Sequence, residues 1–319
     1  LSNLSKCIDK IGLDTLVIQF NYGFFDLQKL GDFLLSHIDE GRTVVVTMHS
    51  TRDPEHAPSK KLATLVPALR RCHRVLVHSH NDMNRLKQLG LVANVALLPH
   101  GLIEHDFSEG ACVQVGLEKR DFIVASYGFF LPHKGLLELI DAISILRTEG
   151  HRVRLELVNA EYPAPESTDL IGQARAKIQT LGLENVVSVC TEFLRDQESL
   201  SRLRNADLIV FPYQNTGESA SGAVRYGIAS GRPVAVTPLP IFRDVEAAVH
   251  ALPGQSATDI AEGISDLMEG IAEGSDRIRK TESVSSRWRE EHGYSRIASR
   301  LSNMLIALKE QRSDGRRFA

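Results

Sequence analysis

The chain alternates along its length between short apolar runs and stretches whose apolar residues fall at helical spacing. In the first third, residues 15–20, 43–47, 75–79 and 95–98 read as buried strands rich in Val, Leu and Thr. Helical stretches at 28–38, 60–72 and 81–89 lie between them, the last closed by Gly90. A second series follows, with strands at 122–126, 153–158, 186–189, 206–212 and 233–237 and helices at 136–146, 169–181, 199–205 and 259–270. A strand that returns parallel to its predecessor needs a crossover, usually helical, so this order predicts parallel sheets with helices on their faces. In such sheets ligands sit off the carboxyl ends of the strands. The residues that follow each strand are therefore where chemistry is sought.

At 319 residues, 43% hydrophobic and 24% charged, the chain has room for two ordinary α/β domains. Residues 104–119 lack periodicity and separate the two series. The expected organisation is a first domain over 1–110, a second over 111–282, a helical segment over 283–310 and a polar, Arg-rich tail over 311–319 that reads as disordered. Cys7, Cys72, Cys112 and Cys190 form no CxxC pair and have no His at ligand spacing. They read as free thiols of a reducing, cytoplasmic compartment and indicate neither a disulfide framework nor a zinc site. A net charge of −3 gives no pull toward nucleic acid, and no apolar run is long enough to span a bilayer. The basic cluster Arg70, Arg71, His73 and Arg74 fits either a solvated helix end or peripheral contact with anionic lipid of an inner membrane.

Residues 216–238, TGESASGAVRYGIASGRPVAVTP, concentrate the chemistry. Glu218 precedes Ser219, Ala220, Ser221 and Gly222, small residues that open a short helix; Gly231 and Pro233 end it before the next strand. Ser219 or Ser221 can cap that helix. Small residues leave its backbone N–H groups bare, and those donors with the positive end of the dipole favour a phosphate. A carboxylate beside an anion site suits a ligand with both phosphates and hydroxyls, such as a sugar nucleotide. An ordinary αβ unit with a capped helix accounts for the same spacing.

The stretch resembles the signature of retaining glycosyltransferases of family 4, whose pattern runs Glu, seven residues, Glu, then a small-residue helix end and a Gly-x-Pro-Val strand. Glu218 matches the first Glu; Tyr226 stands where the second, which usually holds the ribose, would fall. Residues 127–135, YGFFLPHKG, are similar to the family element in which a Lys grips the diphosphate: Lys134 matches that Lys, Gly128 and Gly135 flank it, and an apolar residue near Phe129 replaces the usual Arg. His49, in Thr47-Met48-His49, resembles the family His that touches the donor sugar, and His100-Gly101 resembles a Pro-His-Gly that precedes the second domain. The remaining histidines, His78 among them, carry no assigned role.

The resemblance implies a GT-B fold: two Rossmann-like domains with parallel sheets, the N-terminal one incomplete because family members begin with further αβ units. It implies a retaining, metal-independent hexosyltransferase with no cofactor and no bound metal. The catalytic residues would be His49, Lys134 and Glu218. The donor would lie on Gly128, Ser219, Ala220, Ser221, Gly222, Arg225, Tyr226 and His100. Its donor would be a nucleotide-diphosphate sugar, with GDP-mannose the guess, and its acceptor a glycan or lipid-linked sugar of bacterial polysaccharide synthesis. A GT-B module that binds a nucleotide sugar without transferring it is the alternative, and the departures at Tyr226 and Phe129 favour it.

Overall fold

The computed structural model describes residues 1–54, 57–104, 120–216, 218 and 220–313, with side chains through Gln311. It falls into two compact units. One comprises Leu1–Gly101, Gly217–Ala220 and the chain from Ser295; the other comprises Leu102–Thr216 and Ser221–Tyr294. The change of unit thus comes after Gly101 rather than near residue 110, and the expected linker, from 105 to 119, lies outside the described residues.

The first unit opens with α1 (Ser2–Ile11), a helix that buries only Ile8 and stops at Gly12. Then follow β1 (Thr15–Phe20), α2 (Leu27–Asp39), β2 (Thr43–Met48), α3 (Val66–Arg71), β3 (Arg74–Val77), α4 (His80–Gln88) and β4 (Val95–Leu97). The expected helix over 60–72 is instead a 3-10 turn, Leu62–Leu65, followed by α3. Pro67 explains the join: without an N–H it is tolerated only in the first turn of an α-helix. The strands form one parallel sheet in the order β1-β2-β3-β4.

Alternation along β2 serves both faces of this sheet. Val44, Val46 and Met48 pack with Leu30, Phe33, Leu34 and Leu69 of α2 and α3, while Val45, with Leu76 and Leu98, faces the other way. That second face is covered by Ile297 and Leu308, both buried, from the C-terminal part of the chain.

The second unit runs β5 (Phe122–Phe129), α5 (Leu136–Thr148), β6 (Val153–Ala160), α6 (Pro165–Thr180), β7 (Val187–Cys190), α7 (Asp196–Asn205), β8 (Leu208–Phe211), α8 (Gly222–Ala229), β9 (Val234–Val236), β10 (His250–Ala251), α9 (Ala257–Glu273) and α10 (Asp276–His292). Its parallel sheet has the order β10-β9-β8-β5-β6-β7. β8 is buried at all four residues, as a central strand covered on both faces must be. α5 turns six apolar side chains, from Leu136 to Leu146, into the core.

The helical segment expected over 283–310 is two helices, α10 and α11 (Tyr294–Ser313), broken at Gly293. Leu102 and Gly293 pair there in a strand-like bridge, with Leu102 N–H donating to the His292 carbonyl and Tyr294 N–H to that of Leu102. A β-carbon on Gly293 would stand 2.3 Å from the Glu104 carboxylate, so a larger residue there would require the Glu104 side chain to move. α11 runs on past 311 to Ser313, and 314–319 lie outside the described residues.

Candidate active site

In the second unit the chain leaves β5 for β6 and β7 on one side, then returns to lay β8, β9 and β10 on the other. The growth of the sheet reverses between β5 and β8, which creates a crevice at their carboxyl ends. Two loops meet there: Phe130–Gly135, after β5, and the loop from Pro212, after β8.

Gly135 fixes their approach. Its φ of 67° lies in the left-handed region, and a β-carbon on it would come within 1.8 Å of the Pro212 carbonyl oxygen. Only glycine allows the two backbones this close. The contact sets the short 3-10 turn Pro132–Lys134 against the end of β8, and Gln214 N–H donates to the His133 carbonyl at 2.8 Å.

Lys134 is consequently 7% exposed, a rare burial for an ammonium-bearing side chain. Its Nζ stands 4.0 Å from the centre of the Tyr213 ring, a cation–π contact. The Tyr213 hydroxyl shares a hydrogen bond of 3.0 Å with Ser221 Oγ. Ser221 in turn caps α8 by accepting from Val224 N–H. Lysine, tyrosine and helix cap thus form one chain of contacts, and Gly222, first residue of α8, has nothing within 4 Å of where a β-carbon would be. Of the two candidate caps, Ser221 serves; Ser219 lies outside the described residues, Glu218 is exposed and Ala220 half-buried. Gly128, with φ of 133°, lets β5 pass close to α8: a β-carbon there would meet that of Ala223 at 3.3 Å.

Two expected ligand contacts have other partners. Arg225 is buried, pairs with the Asp244 carboxylate and donates to the Ser221 carbonyl, with its guanidinium 6.0 Å from the Trp288 ring. It braces the first turn of α8 from inside. Tyr226 donates its hydroxyl to Asp196 at 2.7 Å and stacks on Tyr127 with ring centres 4.6 Å apart. Burial and the Asp196 carboxylate both hold its phenol protonated. Tyr213, Tyr127 and Asp196 were not among the expected site residues. Tyr213 had a readable signal, since a tyrosine directly after a buried strand sits where ligands bind.

In the first unit, His49 follows β2, His78 follows β3, and His100 lies just beyond β4. Adjacent parallel strands are about 4.8 Å apart, so equivalent positions bring the three rings together. Ring centres are 3.6 Å apart for His78 and His100, 4.9 Å for His49 and His78 and 5.5 Å for His49 and His100. His78 Nδ1 lies 2.9 Å from the Leu98 carbonyl oxygen, and His49 Nε2 lies 2.7 Å from Gln19 Oε1. Burial lowers the pKa of His49 below the ordinary histidine range. His78, given no role by the sequence reading, belongs to this cluster by the same strand-end rule as its neighbours.

Two Rossmann-like parallel sheets, the second with a buried lysine and a bare helix N-terminus at its switch point, define the GT-B class. Solved structures agree on the fold. A sucrose-phosphate synthase from Thermosynechococcus elongatus superposes with a TM-score of 0.75 at 17% identity, covering 96% of this chain and 76% of that one. HepE from Anabaena, solved with UDP, gives 0.73 at 18% identity, covering 95% and 81%. An α,α-trehalose-phosphate synthase (UDP-forming) from Burkholderia xenovorans, solved with glucose-6-phosphate, gives 0.72 at 12% identity, covering 95% and 75%. No curated protein sequence matches the chain. Residues 121–270, all within the second unit, match the family described as glycosyl transferases group 1.

Proposed function

We propose that the protein is a retaining glycosyltransferase that moves a sugar from a nucleotide-diphosphate sugar to a glycan or lipid-linked acceptor. The observation that carries this reading is the buried Lys134, held over Tyr213 and linked through it to the Ser221 cap of α8. A fixed cation and a bare helix N-terminus at a sheet's switch point suit a diphosphate. Transfer breaks the bond between the anomeric carbon and the phosphate oxygen and makes one to an acceptor oxygen, whose proton passes to the leaving phosphate. Negative charge collects on the leaving phosphate, where Lys134 and the helix dipole stabilise it, so the bond can break without a metal ion to carry that charge. Glu218 accepts a hydroxyl of the transferred sugar, and His49 is the residue of the first unit assigned to that sugar. Asp196, held by Tyr226, offers the ribose a carboxylate in place of the missing second Glu.

GDP-mannose is our first candidate donor, with bacterial polysaccharide synthesis at the cytoplasmic face of the membrane as the setting. No helix of the described residues is long and apolar enough to cross a membrane. HepE has been solved with UDP-glucose, which makes that compound the second donor to try. The test is calorimetric titration of GDP, UDP and ADP, then of their sugar conjugates, into the wild-type chain and Lys134→Ala. One nucleotide should bind selectively and lose at least tenfold in affinity in the variant. Equal binding in both would remove Lys134 from the phosphate site. Selective binding without turnover on any acceptor would favour the non-transferring module.

A further inference from the structure

We infer that Phe129, Tyr162 and Phe193 form a stacking platform for the base of the donor nucleotide and bias the second unit toward purine over pyrimidine donors. The inference rests on the reading in which Lys134 and α8 hold a diphosphate, and it concerns the part of the ligand that phosphate contacts do not reach. The rings come from the carboxyl ends of three neighbouring strands: Phe129 closes β5, Tyr162 follows β6 and Phe193 follows β7. Phe129 and Phe193 lie nearly parallel, with 19° between their planes and 5.9 Å between their centres. Tyr162 meets Phe129 edge-on at 5.3 Å. Aromatic pairs prefer these arrangements, so the rings hold one another in place. Phe193 and Tyr162 are nonetheless exposed, and Phe129 is half-buried. Apolar rings gathered on the ligand edge of a sheet and left open to water mark a contact surface rather than a piece of core.

The occupant follows from what adjoins the platform. From Phe129 the chain passes directly into the turn that carries the buried Lys134, and from Phe193 into Asp196 at the start of α7. One loop therefore joins the rings to a cation, and another joins them to a carboxylate that accepts from the Tyr226 hydroxyl. A nucleoside diphosphate presents phosphates, ribose hydroxyls and a flat base in that order, and cation, carboxylate and rings are the chemistry each part needs. A stacked base puts only its face on the rings and keeps its polar edge free for water or main-chain groups. Every base has a π-face, so stacking alone excludes none of them. It strengthens with the ring area overlapped, and two offset parallel rings offer a bicyclic purine more than a monocyclic pyrimidine can use. The choice between one purine and another falls to contacts with the base edge.

The test titrates ADP, GDP, UDP, CDP and inorganic pyrophosphate into wild type, Phe193→Ala, Phe193→Trp and Lys134→Ala by calorimetry, with the ultraviolet difference spectrum of the base followed alongside. The tightest-binding nucleotide should be a purine one, and its base absorbance should fall on binding, as it does when bases stack. Phe193→Ala should weaken that nucleotide about tenfold and abolish the spectral change, and Phe193→Trp should restore both. Neither variant should alter the binding of pyrophosphate, which has no base, whereas Lys134→Ala should weaken it. Because Phe193 is exposed, both of its variants should melt with wild type. Tightest binding by UDP or CDP would overturn the inference. So would a nucleotide affinity that Lys134→Ala lowers and Phe193→Ala leaves unchanged, a result that would free the rings for an acceptor sugar and leave the diphosphate site standing. Binding of neither nucleotide nor pyrophosphate by wild type would overturn both readings together.

Discussion

Replacing Gly135 with Ala should damage the second unit more than any other single added methyl near its site. Two terms add. The first is backbone: a φ of 67° costs an alanine about 1 kcal/mol. The second is the clash: the new β-carbon would lie 1.8 Å from the Pro212 carbonyl oxygen and 2.9 Å from its carbon. These are main-chain atoms at the end of the central strand β8, so no rotamer change relieves them. The turn carrying Lys134 must retreat by more than about 1 Å to restore van der Waals distance. Overpacking of this kind brings the total to about 3 kcal/mol. Gly150→Ala isolates the first term, because Gly150 also has positive φ, at 93°, but nothing within 4 Å of its β-carbon position. For a unit of this size, 1 kcal/mol moves the melting temperature by roughly 2–4 °C. Differential scanning fluorimetry should show a loss of about 3 °C for Gly150→Ala and about 9 °C for Gly135→Ala. A displacement of about 1 Å at a positioning group also lowers turnover by about a hundredfold, so the Gly135 variant should lose nucleotide-sugar turnover and the Gly150 variant should keep it. If the two variants melt together and retain equal nucleotide affinity, Gly135 does not set the position of Lys134.

Arg225→Met strands the Asp244 carboxylate and should cost about 3 kcal/mol in urea unfolding, whereas Arg225→Met/Asp244→Leu should recover most of it. Leu308→Ala, which opens the face of the first sheet formed by Val45 and Leu76, should cost about 2–4 kcal/mol without changing nucleotide affinity, read by the same unfolding and by calorimetry. His250 is buried on β10, and burial with the nearby Arg277 lowers its pKa from 6.5 to about 4. Above pH 6.5 it is neutral folded or unfolded and contributes no pH dependence. As pH falls from 6.5 toward 4 only the unfolded chain takes up the proton, so stability drops by about 1.4 kcal/mol per pH unit, near 3 kcal/mol in all. His250→Leu should abolish that part of the slope, seen as the difference between wild-type and variant unfolding midpoints at pH 7 and pH 4.5; parallel slopes would show that the ring is not held neutral.

The parallel architecture was legible because strand and helix signals alternate with few contradictions; the strand-end rule singled out His49 and His100, which the structure places just beyond β2 and β4, while Lys134 came from its resemblance to a family element. What the sequence concealed was partnership. Arg225 was placed among the donor contacts because it adjoins Tyr226, where the second Glu of the pattern would fall. Its actual partner, Asp244, is 19 residues further on, and no local spacing announces that the side chain turns inward. His78 was passed over because each histidine was weighed singly, while register across β2, β3 and β4 brings three together. The helical segment expected over 283–310 divides for a related reason: Gly293 is extended, and the backbone there pairs with Leu102, almost two hundred positions earlier, which no local spacing announces.

The two departures from the family pattern look different once their neighbours are known. A position that has lost its function through drift has no reason to acquire specific partners. Tyr226 has two: it stacks on Tyr127 and donates to Asp196, an exposed carboxylate at the start of α7. The hydroxyl therefore fixes a carboxylate beside the place where the pattern would supply one directly. Phe129, where an Arg is usual, stacks with Phe193 at 5.9 Å between ring centres and meets Tyr162 edge-on at 5.3 Å, gathering aromatic rings from the carboxyl ends of β5, β6 and β7. Phe193 is 80% exposed and Tyr162 42%, so this cluster presents apolar surface instead of folding it away. Exposed stacked rings on the ligand-binding edge of a sheet are costly to a merely structural domain. They are what a site would use to recognise flat rings and hydroxyls after giving up one of its cations, which weighs the substitutions toward altered recognition and away from a module that has stopped working.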